Sequence, residues 1–159
     1  MTRTLSSSSQ KVQSILDTYQ LSFEVVELPS STRTAREAAE SIGCDVGSIA
    51  KSLVFIGKQS RQAVLVIASG KNRVDEDLLA EVVGEGVAIA DAKQVREVTG
   101  FAIGGVPPVG FPESVPVYID ADLMDCEVIW AAAGTPFSVF RLEPESLLLL
   151  TDGTVIGIT

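Results

Sequence analysis

Histidine is absent from all 159 residues. That removes the Ser-His-Asp triad, the Cys-His pair, the H-E-x-x-H zinc site and most general acid-base schemes. Cysteine is scarce: Cys44 and Cys126 lie far apart and neither belongs to a C-x-x-C pair. The pattern gives no zinc or redox motif, fits a reduced, cytoplasmic setting, and casts both as small core residues. Long apolar runs are also missing. Ala63 to Ala68 falls far short of the roughly 18 residues that span a bilayer, so no membrane role is expected. Met1 to Leu21 carries Ser6-Ser7-Ser8-Ser9 and a polar helical pattern where a signal peptide would have an apolar centre, and no export is expected. Basic residues are outnumbered, 12 to 21, and the net charge of −9 argues against broad adhesion to nucleic acid or anionic lipid.

What remains is an ordinary globular composition, 46% hydrophobic and 21% charged. A chain of this size buries roughly 68–70% of its unfolded surface, so it needs neither metal nor disulfides to hold together. Without repeats or linkers, residues 1–159 are read as one domain, with residues 1–9 as a flexible, frayed start. The charge is unevenly spread. From Arg33 to Arg73 seven basic residues (Arg33, Arg36, Lys51, Lys58, Arg61, Lys71, Arg73) face three acidic ones, a local +4 that leaves −13 elsewhere. A short basic segment in an acidic chain can grip a few phosphates while leaving long duplexes alone.

Val12, Ile15, Leu16 and Tyr19 follow helical spacing, and Phe23 to Val26 reads as a strand. Thr34-x-x-Glu37 is a capping box for a helix from Ala35 to Ile42, closed by Gly43. Asp45 can cap a short turn, after which Ser52–Ile56 and Ala63–Ala68 form a hairpin. Further helices are expected at Asp75–Val83, from the box Asp91-x-x-Gln94 to Gly100, and at Pro144–Leu149. Further strands are expected at Val87–Ala90, Val115–Ile119, Glu127–Ala132, Ser138–Arg141 and Val155–Ile158. Helices and strands intermix without β-α-β alternation, which predicts an α+β domain with a curved mixed sheet flanked by helices.

Few chemistries survive the missing histidine. Asp120, Asp122 and Asp125 cluster past a strand but read as solvated turn formers. Ser48-x-x-Lys51 has a serine-lysine spacing that would share one helical face, without the partner motifs of the acyltransferases that use it. Ala50-Lys51-Ser52 lacks the glycine that a Walker loop places before its lysine. Two features stand out. Lys51 sits before the apolar run Leu53 to Ile56, and its bland reading is a snorkelling strand-end residue. The loop from Gly100 through Gly104, Gly105, Pro107 and Pro108 to Gly110 joins glycines, which free backbone N–H groups, with stiffening prolines. Such a loop can form an oxyanion hole or phosphate nest, or simply a tight connection.

Taken in order, several pieces of the chain resemble the YbaK/ProRS-associated-domain group of trans-editing aminoacyl-tRNA deacylases. They are Thr34 to Ala39, Ala50-Lys51-Ser52-Leu53, Thr99-Gly100-Phe101 into Gly104 to Gly110, Tyr118-Ile119-Asp120, and Ala132-Ala133-Gly134-Thr135-Pro136. The resemblance spans nearly the whole chain and implies hydrolysis of the ester joining an amino acid to the 3′-terminal ribose of tRNA, usually tRNA for proline. It puts catalytic positions on Lys51, Gly104 and Gly105, and substrate-binding positions on Thr34, Ser52, Gly100, Phe101, Pro107, Gly134 and Thr135. It implies neither cofactor nor metal. Cysteine-specific members carry a tyrosine where this chain aligns Leu28, which points instead to alanine, serine or another small residue. Thr135 and Pro136 replace the basic residues that commonly follow the second glycine turn.

An aminoacyl ester is already activated, so positioning of water can suffice. On that expectation the Gly104 and Gly105 N–H groups hold the carbonyl oxygen while Lys51 anchors the terminal phosphate or steadies the substrate. The partner is the acceptor end of tRNA, with prolyl-tRNA synthetase or elongation factor as helpers in recognition. A competing reading is a binding module that holds an aminoacyl-adenosine moiety or a synthetase without turnover; a third is an acidic regulatory or assembly domain.

Overall fold

A computed structural model describes residues 5–19 and 22–159. The described residues form five α-helices and a mixed eight-stranded sheet. In chain order the helices are α1 Ser7–Leu16, α2 Ala35–Ile42, α3 Glu76–Val83, α4 Ala92–Thr99 and α5 Pro144–Thr151. The strands are β1 Val25–Glu27, β2 Ile49–Gly57, β3 Ala63–Ser69, β4 Val87–Ile89, β5 Val117–Asp120, β6 Ile129–Ala132, β7 Ser138–Leu142 and β8 Thr154–Ile156. The strand order is β1-β7-β6-β2-β3-β5-β8, with β4 paired to β2 beside that path. β2–β6, β3–β5 and β5–β8 are parallel and the other pairs antiparallel.

β3 is an interior strand, between β2 and β5, and shows why the sheet is covered on both sides. Its alternate residues enter different clusters: Leu65 and Ile67 join α1, α4 and α5 through Val12, Leu16, Val95 and Leu147. Val64, Val66 and Ala68 join α3 through Leu79. A strand buried on both faces reads as a continuous apolar run, as Ala63 to Ala68 does. A third, smaller cluster seats α2 through Ala38 and Ala39 on Ile49 and Trp130.

Four expectations change. Residues 1–4 lie outside the described part, but Ser6 to Ser9 are not frayed: Ser6 caps α1, and Ser9 is fully buried with its Oγ 2.6 Å from Ser138 Oγ. Asp120 is buried at 2% exposure, where its carboxylate accepts from Ser69 N–H, Asn72 Nδ2 and Asp122 N–H at 2.8–2.9 Å. It ties β3 to β5 and is no solvated turn former. Cys44 and Cys126 are half-buried at the edges of their clusters. β2 begins three residues before its predicted start because Ile49 and Ala50 pair with β6, so Lys51 lies inside the strand and shares no helical face with Ser48.

Candidate active site

The site begins with a gap in the sheet. Two strands share one edge of β2: β6 pairs with Ile49 and Ala50, β4 with Phe55 to Gly57, and Lys51 to Val54 between them have no neighbouring strand there. The ladder alternates. Odd-numbered residues bond toward β3, as the Gly57 N–H to Gln62 carbonyl (2.9 Å) and Gly70 N–H to Ile49 carbonyl (2.7 Å) show. The Val54 carbonyl points the other way and accepts from Ala90 N–H at 2.9 Å. By the same alternation Ser52 turns both its N–H and its C=O into the gap. Its Oγ is also buried with no hydrogen-bond partner among the described residues. A buried polar group is rarely left unpaired, and on a residue whose backbone also faces the gap it marks a place where a guest completes the bonding.

The gap opens into a cavity of about 680 Å³. Its inner wall is small and apolar, with Ala50, Val54, Ala90, Val95, Val106 and Ala131; α2 contributes Ala35 and Ala38, and Trp130 adds a half-buried aromatic face. Lys51 lines it and is half-buried. Burial lowers the pKa of its ammonium group from the ordinary lysine value, and the negative charge of Asp120, beyond ion-pair distance, draws it partly back. A desolvated cation without a salt-bridge partner is held ready for an anionic or electron-rich group. Among the described residues no three His, Cys, Asp or Glu side chains come together as a metal-holding group.

Gly104 closes the cavity from the loop after α4. Its φ of +88° suits glycine, and a Cβ there would lie 3.3 Å from Arg33 Cα. Its N–H has no hydrogen-bond acceptor among the described residues. Gly105 behaves differently. Its N–H donates to the Ala102 carbonyl at 3.0 Å, its carbonyl accepts from Gly134 N–H at 2.9 Å, and a Cβ would meet the Thr135 backbone at 2.8 Å. The loop thus rests on the Gly134-Thr135 turn, which in turn rests against Ser8 of α1.

The expected site residues therefore divide. Lys51, Ser52, Thr34 and Gly104 line one cavity. Thr34 also caps α2, its Oγ1 accepting from Glu37 N–H at 3.1 Å, although only the threonine half of the expected box forms among the described residues. Gly105, Gly100, Phe101, Pro107, Gly134 and Thr135 do not line the cavity. Gly105 has spent its N–H within the loop, and of the two expected donors only Gly104 has an N–H without an acceptor among the described residues. Gly100 ends α4, Phe101 is core with Lys11 Nζ 4.9 Å from its ring centre, and Pro107 is buried. The Thr135 hydroxyl is 2.6 Å from Ser138 Oγ. Leu28 donates its N–H to the Phe137 carbonyl and also stays off the cavity wall.

Comparison with known proteins decides what this cavity belongs to. Residues 29–150 match the family model described as the aminoacyl-tRNA editing domain. The chain belongs to the aminoacyl-tRNA editing domain family. Its reaction class is the deacylation of aminoacyl-tRNA. This editing domain is 34% identical over 124 residues to the uncharacterized protein YwhH of Bacillus subtilis, covering 78% of each chain. It is 32% identical over 127 residues to the Enterococcus faecalis protein named "Putative Cys-tRNA(Pro)/Cys-tRNA(Cys) deacylase EbsC", covering 79% of this chain and 77% of that one. A solved structure described as a "putative trans-editing enzyme for prolyl tRNA synthetase" superposes with a TM-score of 0.92 at 48% identity, over 98% of this chain and 99% of that one. The single α+β domain with a mixed sheet and flanking helices is the fold of that structure.

The editing domain also brings to the cavity residues that sequence reasoning did not assign to it: Arg33, Arg36, Lys71, Trp130, Ile89 and Ile103. The first three were visible as part of the basic segment. Nothing in the sequence indicated that the chain folds them around Lys51.

Proposed function

We propose that the editing domain hydrolyses the ester of tRNA for proline mischarged with alanine, serine or a similarly small amino acid, using water and no covalent enzyme intermediate. The observation that carries this reading is the meeting of Lys51, the unpaired hydroxyl of Ser52 and the free N–H of Gly104 at one cavity with small apolar walls. About 680 Å³ falls within the roughly 300–1,000 Å³ of pockets that enclose small-molecule ligands and is far more than a small amino acid fills, which suits an aminoacyl group together with its terminal nucleoside.

In this reading Ser52 holds the polar groups of the aminoacyl moiety, and Gly104 N–H supports the carbonyl oxygen as charge develops on it. Lys51 anchors the terminal nucleotide's phosphate or steadies the ester. An ester needs little more than orientation and one or two donors, and each well-placed oxyanion donor is worth about 10²–10³ in rate. A substrate hydroxyl or amino group takes the proton from water, a role that no histidine is present to fill. The relatives' names favour proline tRNA. Cysteine, named for the Enterococcus relative, belongs in the test because Leu28 stands away from the cavity and does not itself argue against it.

The experiment is release of radiolabelled amino acid from tRNA for proline charged with alanine, serine, cysteine or proline, by the wild-type protein and by Lys51→Ala. Release of alanine or serine, slowed at least tenfold in the variant, is the expected result. Equal rates for the two proteins would remove Lys51 from the mechanism, and preferred release of cysteine would overturn the substrate assignment.

A further inference from the structure

The cavity carries four cations, Arg33, Arg36, Lys51 and Lys71, and no carboxylate. In a chain with 21 acidic and 12 basic residues this is a sorted arrangement. Lys51 sits on the wall, whereas Arg33, Arg36 and Lys71 are exposed. Among the described residues the only ion pair is Lys93 with Glu97 on α4, so the three exposed cations have no carboxylate within 4 Å. Arg33 and Arg36 flank the start of α2, where the positive end of the helix dipole disfavours cations until an anion arrives. The Lys71 side chain passes over Gly47, its Cδ 3.2 Å from where a Cβ on that glycine would be. Two bulky apolar side chains, Ile89 and Ile103, also line the cavity while remaining 59% and 49% exposed. Cations beside exposed apolar side chains match a nucleotide strand, with phosphates for the first and base faces for the second.

We propose that Arg33, Arg36 and Lys71 form a track for the backbone phosphates of the unpaired 3′ end of the substrate RNA, the nucleotides preceding the one that bears the ester. The inference rests on the deacylase reading for the identity of the strand, and its test is independent of turnover. The acidic remainder of the surface repels the duplex, so the grip is confined to a few phosphates.

The probe is a short single-stranded RNA ending in CCA, uncharged with amino acid, titrated against wild type and the Arg33→Ala, Arg36→Ala, Lys71→Ala triple variant at several salt concentrations. Each phosphate contact on a single strand contributes about 0.7 to the slope of log affinity against log salt. Three contacts contribute about 2, or roughly a 20-fold loss between 50 and 200 mM salt, and the variant loses that share of the slope. A blunt RNA duplex binds wild type more weakly than the single strand. The companion measurement is cleavage of an alanyl ester of adenosine, which has no phosphate and whose cleavage falls by a smaller factor in the variant than RNA affinity does. All three side chains are exposed, and matching melting curves confirm the fold.

An unchanged salt slope in the variant overturns the track. So does a variant that loses the phosphate-free ester as severely as the RNA, because the cations would then serve the ester itself. If wild type cleaves no ester while the salt slopes still separate, the deacylase reading fails and the track stands.

Discussion

Lys51 is a cation in a site that would be cheaper to leave neutral, and pH exposes this. Because burial lowers its pKa, the native state binds fewer protons than the unfolded chain between the lowered and ordinary lysine values. Stability tied to Lys51 therefore rises with pH across that alkaline window, while any grip that needs the ammonium falls. Affinity for an uncleavable, amide-linked alanyl-CCA oligonucleotide is expected to drop below the pH at which an ordinary lysine titrates. Lys51→Arg, whose guanidinium stays charged, moves the drop upward. Trp130, the sole tryptophan, lines the cavity and supplies the fluorescence signal; coincident profiles for the two proteins would contradict the assignment. Gly105 offers a second test, of support without contact. Gly105→Ala drives a Cβ against the Thr135 backbone and is expected to cost about 1–3 kcal/mol in a denaturant melt. Through the shift of Gly104 it should also lower kcat more than it raises KM. Lys51 and the glycine loop were legible because their residue types are chemically unusual. Arg33, Arg36 and Lys71 were legible only as charge, since surface cations look alike until a fold gathers them.

The elements that local signals dictate came through well. α2 runs from Ala35 to Ile42, and α4 carries the full reciprocal capping box between Asp91 and Gln94. These are short-range signals, complete within a few residues. What local pattern misses is nonlocal pairing: the start of β2 is set by β6, some eighty residues away. The N-terminal helix is the other lesson. Its serines read as a loose tail because small polar residues usually solvate, yet Ser9 lies in a hydroxyl series running from Ser6 through Ser138 to Thr135, with Ser9 and Ser138 fully buried. Ser9→Ala leaves Ser138 short of a buried partner and is expected to destabilise by about 1–3 kcal/mol in urea. Ser9→Thr, which keeps the hydroxyl, should recover part of that loss. A Ser9→Ala protein as stable as wild type would mean that α1 is held by Val12 and Leu16 alone.

At the scale of the whole molecule, an acidic body presents one apolar cavity with a cationic margin. Apolar walls distinguish amino acids by volume, with about 1–3 kcal/mol per methylene, so small residues should be released with overlapping efficiencies and larger ones rejected by clash. Competition kinetics over alanine, serine, 2-aminobutyrate and leucine esters measure the gradient, and preferred release of leucine would contradict it. Mixed topology decides where such a chamber can exist. β4 and β6 approach the same border of β2 and stop short of each other, leaving an interior seam that the Ser52 amide and carbonyl face. On the proposed reading, a substrate docked there would act as a missing rung of the ladder, held by main-chain atoms that every amino acid shares. Handles of that kind are blind to identity but sensitive to handedness: a D-residue gripped at the same points swings its side chain off the wall meant to measure it. On the proposed reading, release of D-alanine from its ester is expected to be much slower than release of L-alanine, and equal rates for the two would contradict a main-chain grip at this break.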